Sequence, residues 1–178
     1  MQPRTPAHGF YPRAAAACAV STSELTARFE DAYYSDCFTR RFAPKRFSSA
    51  LAAYLAATGA APAWVSRLLA VRDRLVRGLG MTPTHGFGAH RSPIETLAVG
   101  AKLDFFRVVR CDTDLLLLVL DDRHFQVMIE VHTVAHQDSQ SVYISAIVNP
   151  HTWQGRAYLH LIAPFHRRVV RSLLNGVN

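Results

Sequence analysis

Hydrophobic and polar residues alternate in several stretches of the chain, and this period of two predicts β-strands. The first stretch, residues 31–42 (DAYYSDCFTRRF), alternates aromatic with polar types. Four more stretches follow in the second half of the chain, separated by short polar segments. They span residues 103–110, 114–120, 124–134 and 140–149. Because short turns join antiparallel neighbours, we expect these four strands to form a meander.

Helical patterns fill the interval between the first strand and the meander. Residues 47–58 are rich in Ala and Leu, and Gly59 is suited to end that helix. Pro62 is suited to the first turn of a second helix, in which apolar residues recur every three or four positions from Trp64 onward. Residues 81–102 show only weak periodicity and are predicted to be a long loop.

A third helix is predicted over residues 153–175. Its apolar stripe consists of Tyr158, Leu161, Ile162, Phe165, Val169, Leu173 and Leu174. We expect Tyr158, Ile162, Phe165 and Val169 of this stripe to be buried against the sheet. Pro164 lies inside the helix and should kink or break it, because proline lacks the backbone donor.

The order of strand, two helices, meander and long helix predicts an α+β fold. In this fold a curved antiparallel sheet packs around the C-terminal helix. We predict a loose tail over residues 1–22 and a single α+β domain over 23–178. A length of 178 residues, with 49% hydrophobic and 19% charged residues, suits one globular domain. No apolar run reaches the ~18–20 residues of a membrane-spanning helix, so no membrane span is predicted.

The chain is basic, with a formal net charge of +7. This charge favours anionic partners, but no RNA-recognition motif, zinc finger or helix-turn-helix accompanies it, so we do not expect nucleic-acid binding. The three cysteines, Cys18, Cys37 and Cys111, are odd in number and irregularly spaced. This pattern indicates free thiols and hence a cytoplasmic location.

Three strings carry a resemblance to a known family. They are PAWVSRLLAVRDRLVRGLGM at 62–81, LDDRHFQVMIEV at 120–131 and QGRAYLHLIAPFHRRVVRSLL at 154–174. Together they resemble a bacterial family of unknown function, which also occurs fused behind NAD-binding epimerase-like domains. The element order resembles the helix-grip fold of START-like and polyketide-cyclase-like proteins, in which a sheet closes around a C-terminal helix over a cavity. The resemblance covers most of residues 30–176 and implies a fold, but no activity.

The sequence offers two candidate sites. In the first, Asp122 and His124 would be an acid/base pair at the lip of a cavity, with Arg123 binding an anion; the alternative is a hairpin turn. In the second, His166 would point inward beside Arg156 and Tyr158 as a further acid/base candidate. The alternative there is a solvated basic helix face with one satisfied core histidine.

Other polar residues suggest no cofactor or metal. The pair Arg72–Asp73 in the second helix is predicted to be a buried or half-buried structural ion pair. The nine histidines lack metal-ligand spacing, and no G-x-G-x-x-G string is present, so we predict neither a metal nor a dinucleotide cofactor.

These patterns favour a small-molecule binding module, with a cavity between the sheet and the C-terminal helix for a small apolar or anionic ligand. The ligand-binding candidates are Arg123, Arg156, Tyr158 and Phe165. The wider lining is expected to comprise Phe105, Val108, Leu116, Leu118, Val127, Ile129 and Tyr143, or their strand neighbours, together with Ile162.

Two alternatives to this function remain, and catalysis is left open. One is an enzyme of cyclase, isomerase or hydrolase type that uses Asp122, His124 or His166 in the same cavity. The other is an interaction module that partners an oxidoreductase. An edge strand near 31–42 or 140–149 can pair across a two-fold axis, which allows a homodimer.

Overall fold

The computed structural model describes residues 32–78, 83–88 and 97–177. In these parts of the chain the element order is the predicted one, with two helices between the first strand and the meander. The elements are β1 (Tyr34–Phe42), α1 (Ala50–Gly59), α2 (Ala63–Gly78), β2 (Lys102–Leu103), β3 (Phe106–Cys111), β4 (Leu115–Asp121), β5 (Phe125–Ala135), β6 (Gln140–Pro150) and α3 (Trp153–Gly176). The α+β fold class is therefore confirmed.

The strands form one curved antiparallel sheet in the order β1-β6-β5-β4-β3-β2. β3 to β6 follow one another both in the chain and in the sheet, so the predicted meander is confirmed. β1 joins the sheet beside β6, with Tyr34 opposite Val148 and Phe42 opposite Gln140. β6 is thus an interior strand, and the expectation of an edge strand near 140–149 is wrong. β1 is an edge strand, as expected for residues 31–42.

The predicted strand over 103–110 is two strands joined by a tight turn. Leu103 pairs with Phe106, which leaves only two residues between β2 and β3. The first of them, Asp104, has a φ of +56°. Aspartate tolerates this left-handed conformation better than most residues do, and this reverses the chain where the apolar pattern alone predicts one strand.

The main hydrophobic core lies between one face of the sheet and helices α1 and α3. α1 begins at the cap Ser49, whose hydroxyl accepts a hydrogen bond from the backbone nitrogen of Ala52 at 3.1 Å. Its small residues allow close approach to the sheet. The core members on the central strands are Val108, Leu116, Leu118, Val131, Val142 and Ala146. The reverse face of the sheet carries a second buried cluster of Leu117, Val119, Met128 and Ile147.

Helix α3 presents a different stripe to the core from the predicted one. Its buried residues are Gly155, Leu159, Ala163, Val170, Leu173 and Leu174. Leu161 of the predicted stripe is 58% exposed. Phe165 is 45% exposed, so its expected burial is wrong. The physical reason is a rotation of the helix that seats the small Ala163 towards the protein interior. The helix continues through Pro164, so the predicted break does not occur.

Three further expectations concern the cysteines, the tail and the membrane. Cys37 is disulfide-bonded and Cys111 is free, so the expectation of free thiols is wrong for Cys37. The predicted tail over residues 1–22 lies outside the described residues, and the domain boundaries stay a prediction. Among the described residues, no helix combines the length and hydropathy needed to cross a membrane.

Candidate functional site

An apolar cavity of about 210 Å³ lies between the inner face of the sheet and the helices. Val127 and Ile129 of β5 form part of its floor, and Leu68 and Leu69 of α2 lie along another wall. α3 contributes Ile162, which is half-buried. The cavity lies between the sheet and the C-terminal helix, and its use as a ligand site stays a prediction.

The predicted lining is partly observed. Phe105, Val127, Ile129, Tyr158, Ile162 and Phe165 border the cavity. Val108, Leu116 and Leu118 are instead fully buried in the hydrophobic core. Tyr143 is also absent from the lining, and its ring lies 6.5 Å from that of His132. Phe165 borders the cavity and is exposed to solvent, which places it at the rim.

A buried ion pair links α2 to the cavity wall. The Arg72 Nη1 atom lies 2.9 Å from the Asp73 Oδ1 atom, and each side chain is only 7% exposed. This confirms that Arg72 and Asp73 form a buried ion pair; its structural role stays a prediction. The Arg72 Nε atom also donates a hydrogen bond to the Tyr158 hydroxyl at 2.7 Å. Through this bond the ion pair joins α2 to α3 beside the cavity.

The Asp73 carboxylate also organises the segment that follows α2. It accepts hydrogen bonds from the backbone nitrogen and the hydroxyl of Thr84, at 2.8 and 3.0 Å, and from the backbone nitrogen of His85 at 2.7 Å. Burial alone would raise the pKa of Asp73, but the hydrogen bonds from Thr84, Arg72 and His85 outweigh it and lower that pKa below its ordinary value. Asp73 therefore stays ionised and holds Thr84 at the cavity wall.

The hydrogen bond from Arg72 holds the polar side chain of Tyr158 at the cavity. Burial raises its pKa more than the neighbouring Arg72 lowers it, so the hydroxyl is neutral at physiological pH. Its ring stacks on Phe125 with the centroids 5.6 Å apart. A neutral hydroxyl on an immobilised ring can orient a ligand without adding a charge.

Two further polar residues, Tyr34 and His166, border the cavity, and the buried Asp36 contacts both of them from behind the wall. The Tyr34 hydroxyl donates to the Asp36 Oδ2 atom at 2.5 Å. The other carboxylate oxygen of Asp36, Oδ1, lies 3.5 Å from the His166 Nε2 atom. Burial, followed by the Asp36 charge, raises the pKa of Tyr34, although Arg167 opposes this effect. Tyr34 therefore stays protonated and serves as a donor to Asp36.

The structure places Asp122 and His124 in a turn and a helix cap. The Asp122 Oδ1 atom accepts a hydrogen bond from the backbone nitrogen of His124 at 3.0 Å. The buried His124 ring bonds through Nδ1 to the hydroxyl of Thr152, the N-cap of α3, at 2.9 Å. Neither residue belongs to the cavity lining. This geometry favours the hairpin-turn interpretation.

The two predicted anion-binding arginines lie on the surface. Arg123 and Arg156 are exposed, and neither borders the cavity. The guanidinium of Arg156 stacks over the ring of Tyr33, 5.8 Å from its centroid. Of the predicted site residues, the structure brings only Tyr158, Phe165 and His166 to the cavity.

Sequence reasoning missed Tyr34 and Asp36 as site residues. The sequence does contain a signal for these two residues. Residues two apart on a strand share one face, so Tyr34 and Asp36 are expected on the same side of β1. Asp36 is therefore an acid on the same strand face as Tyr34, and it is only 3% exposed. Sequence reasoning also missed Tyr54, which lines the cavity and donates to the buried Asp104 carboxylate at 2.8 Å.

No metal centre is found in the parts of the chain that the structure describes, where no three His, Cys, Asp or Glu side chains are grouped to hold an ion. The site is instead an apolar cavity with a few buried polar groups in its walls.

The fold and the cavity define the class of protein: an α+β domain in which a curved antiparallel sheet and three helices enclose an apolar cavity. A family model described as "Protein of unknown function (DUF2867)" matches residues 28–173. The chain belongs to this family, which agrees with the resemblance to an uncharacterised domain family. Neither the curated proteins nor the solved structures contain a match to this chain. The fusion to epimerase-like domains and the START-like relationship stay predictions.

Proposed function

We propose that this protein binds a small apolar molecule in the cavity between its sheet and α3. The observation that carries the proposal is the cavity of about 210 Å³, whose walls are mostly aliphatic and aromatic side chains. Apolar cavities with a few convergent polar groups are typical ligand sites. Since a dry apolar cavity of about 150 Å³ holds benzene, a ligand of about one to two fused rings matches this volume.

In this proposal Ile162 and Leu69 contact the ligand from α3 and α2, and Phe165 covers the rim. Tyr158 supplies a neutral hydroxyl. Arg123 and Arg156 have no part in binding, because they lie away from the cavity.

The alternative is an enzyme that works in the same cavity. Its supporting observation is that a titratable side chain, His166, borders the cavity and faces the buried Asp36. His166 is then the acid/base group, rather than Asp122 or His124, which do not reach the ligand space. The interaction module, the homodimer and the cytoplasmic location stay predictions.

Naphthalene is the probe for the binding test, because it is apolar and matches the expected ligand size. Ligand-observed NMR and thermal unfolding should show saturable binding and a rise in the melting temperature with naphthalene concentration. Ile162→Trp, which fills the cavity from α3, should weaken binding at least tenfold. Leu161→Trp is the matched control. Leu161 directly precedes Ile162 on the helix, is 58% exposed and does not line the cavity.

A second pair of variants approaches the cavity from α2. Leu69→Trp should weaken naphthalene binding, whereas Val71→Trp should not, because Val71 is 57% exposed and lies outside the lining. Circular dichroism checks that each variant folds. No saturable binding by the wild-type protein, or equal binding by the filled and control variants, would refute the proposal.

A further inference from the structure

We propose that His166, oriented by Asp36 and Tyr34, is the polar anchor for the hydroxyl group of a small neutral aromatic alcohol. This inference rests on the proposed function and adds the chemical class of the ligand. The observation behind this inference is a buried carboxylate, Asp36, which has no role in apolar packing. Asp36 is 3% exposed and projects from the edge strand β1 towards α3, where it faces His166.

The contact with Asp36 favours one tautomer of the neutral His166 ring, with the proton on Nε2. Oδ2 of Asp36 accepts a hydrogen bond from the Tyr34 hydroxyl. Among the described residues, neither Oδ1 of Asp36 nor Nε2 of His166 makes a hydrogen bond with any other group, and both atoms are buried. Leaving a buried carboxylate oxygen unpaired is costly. A proton on Nε2 would face Oδ1, 3.5 Å away, in an electrostatic contact that is longer than an ordinary hydrogen bond.

This arrangement leaves the second ring nitrogen, Nδ1, as a hydrogen-bond acceptor. In a neutral imidazole one nitrogen is a donor and the other an acceptor, and the bond made by the first selects the tautomer. Because the His166 ring borders the cavity, this acceptor is available to a ligand that donates a proton.

The charges around His166 favour a neutral donor over an anion. Asp36 carries a negative charge directly behind the ring, whereas Arg167 acts on Tyr34. Arg72 also borders the cavity, but its charge is paired with Asp73. A ligand carboxylate would offer His166 no proton and would meet the field of Asp36 in a poorly solvated space. An aromatic hydroxyl instead puts its ring among the apolar walls and its donor against the acceptor.

The test compares four probes of one shape: naphthalene, 2-naphthol, 2-methoxynaphthalene and 2-naphthoate. We expect 2-naphthol to bind about tenfold more tightly than its methyl ether, which has lost the donor, since one such bond contributes about that factor. His166→Phe keeps a ring but removes the acceptor, so it should abolish this preference. His160→Phe is the matched control on the same helix, because His160 is exposed and lies outside the cavity lining.

A second measurement does not depend on the fold of a variant. In the ¹⁵N NMR spectrum of the wild-type protein, the Nδ1 resonance of His166 should shift on addition of 2-naphthol but not of 2-methoxynaphthalene. Equal affinity for 2-naphthol and its ether, or tightest binding of 2-naphthoate, would overturn this inference while leaving the proposed function intact. Failure of all four probes to bind would overturn the proposed function itself.

Discussion

The buried ion pair of Arg72 and Asp73 should stabilise the fold far more than the exposed pair of Arg110 and Asp112 does. The contacts are similarly short, at 2.9 and 2.6 Å, but the side chains are 7% exposed in the first pair and 44–45% in the second. Comparing Asp73→Asn with Asp112→Asn therefore contrasts a buried ion pair, held by further hydrogen bonds, with an exposed one. Each variant removes one carboxylate charge and keeps nearly the same side-chain shape.

The contacts of Asp73 determine the expected magnitude. Its carboxylate accepts hydrogen bonds from Arg72, from the backbone and hydroxyl of Thr84, and from the backbone of His85. In Asp73→Asn a buried cation loses its counter-charge, and one accepting oxygen becomes a donor facing other donors. We expect a loss of about 3–5 kcal/mol in the free energy of unfolding. The exposed pair should contribute about 0–1 kcal/mol.

The contribution of Asp73 should also depend on pH. Its pKa is lowered in the folded protein, whereas in the unfolded chain it takes the ordinary value of about 3.9. Ionisation therefore favours folding above the ordinary pKa, and this stabilisation is lost as the pH falls through the lower folded-state pKa. The difference between wild type and Asp73→Asn should be complete at pH 7 and shrink below about pH 4.

Equilibrium urea unfolding, followed by circular dichroism at pH 7 and at low pH, measures these free energies. If Asp73→Asn lost no more stability than Asp112→Asn at pH 7, the claim that burial and the further hydrogen bonds of Asp73 strengthen this pair would be refuted. A difference between wild type and Asp73→Asn that stayed constant on acidification would refute the assignment of the stabilisation to the ionised carboxylate.

Two further predictions use the same urea assay at pH 7. Gly155→Ala should cost about 1–3 kcal/mol, because its Cβ would come closer than 3.0 Å to the backbone oxygen of His124. Gly78→Ala, with no atom within 4 Å of the added Cβ, should be neutral or slightly stabilising, and equal costs would contradict this reasoning. Phe165→Ala should cost less than about 2 kcal/mol, whereas the buried Leu173→Ala should cost about 2–5 kcal/mol. A larger loss for Phe165→Ala than for Leu173→Ala would contradict the observed orientation of α3.

The sheet could be predicted well because its signals are local. The turn between β4 and β5 contains Asp122, whose side chain accepts from the backbone nitrogen of His124, and this is the contact that an Asx turn predicts. The turn at Asp104 has no such local signal, because the residues around it are as apolar as those of a strand. A positive φ at one aspartate cannot be read from the hydrophobic pattern.

The orientation of α3 could not be predicted because two sides of the helix are apolar. Leu159 and Ala163 are buried, while Tyr158 and Ile162, one position before each of them, border the cavity. Periodicity reveals a wide apolar arc, but it does not say which part of the arc contacts protein and which part contacts empty space.

The polar groups of the cavity depend on contacts between distant parts of the chain. His166 was recognised as a candidate, but its partner Asp36 lies on β1, and the two meet only because β1 pairs with β6 at the edge of the sheet. The Asp122–His124 cluster, which is adjacent in sequence, was easier to notice and lies outside the cavity lining. The closeness of Asp122 and His124 in the sequence therefore reflects a turn and not a ligand site.

The cavity and the ion pair of α2 have a common structural origin. α2 buries only four residues, Val65, Arg72, Asp73 and Val76, and two of these are the ion pair. Because polar contacts hold much of this helix in place, its apolar residues need not pack closely against the sheet. Leu69 accordingly borders the cavity. The hydrogen bond from Arg72 to Tyr158 then holds α2 and α3 together across that space. Stability at this point and ligand binding are therefore coupled, so a change at Asp73 that loosens α2 should also lower the affinity for naphthalene.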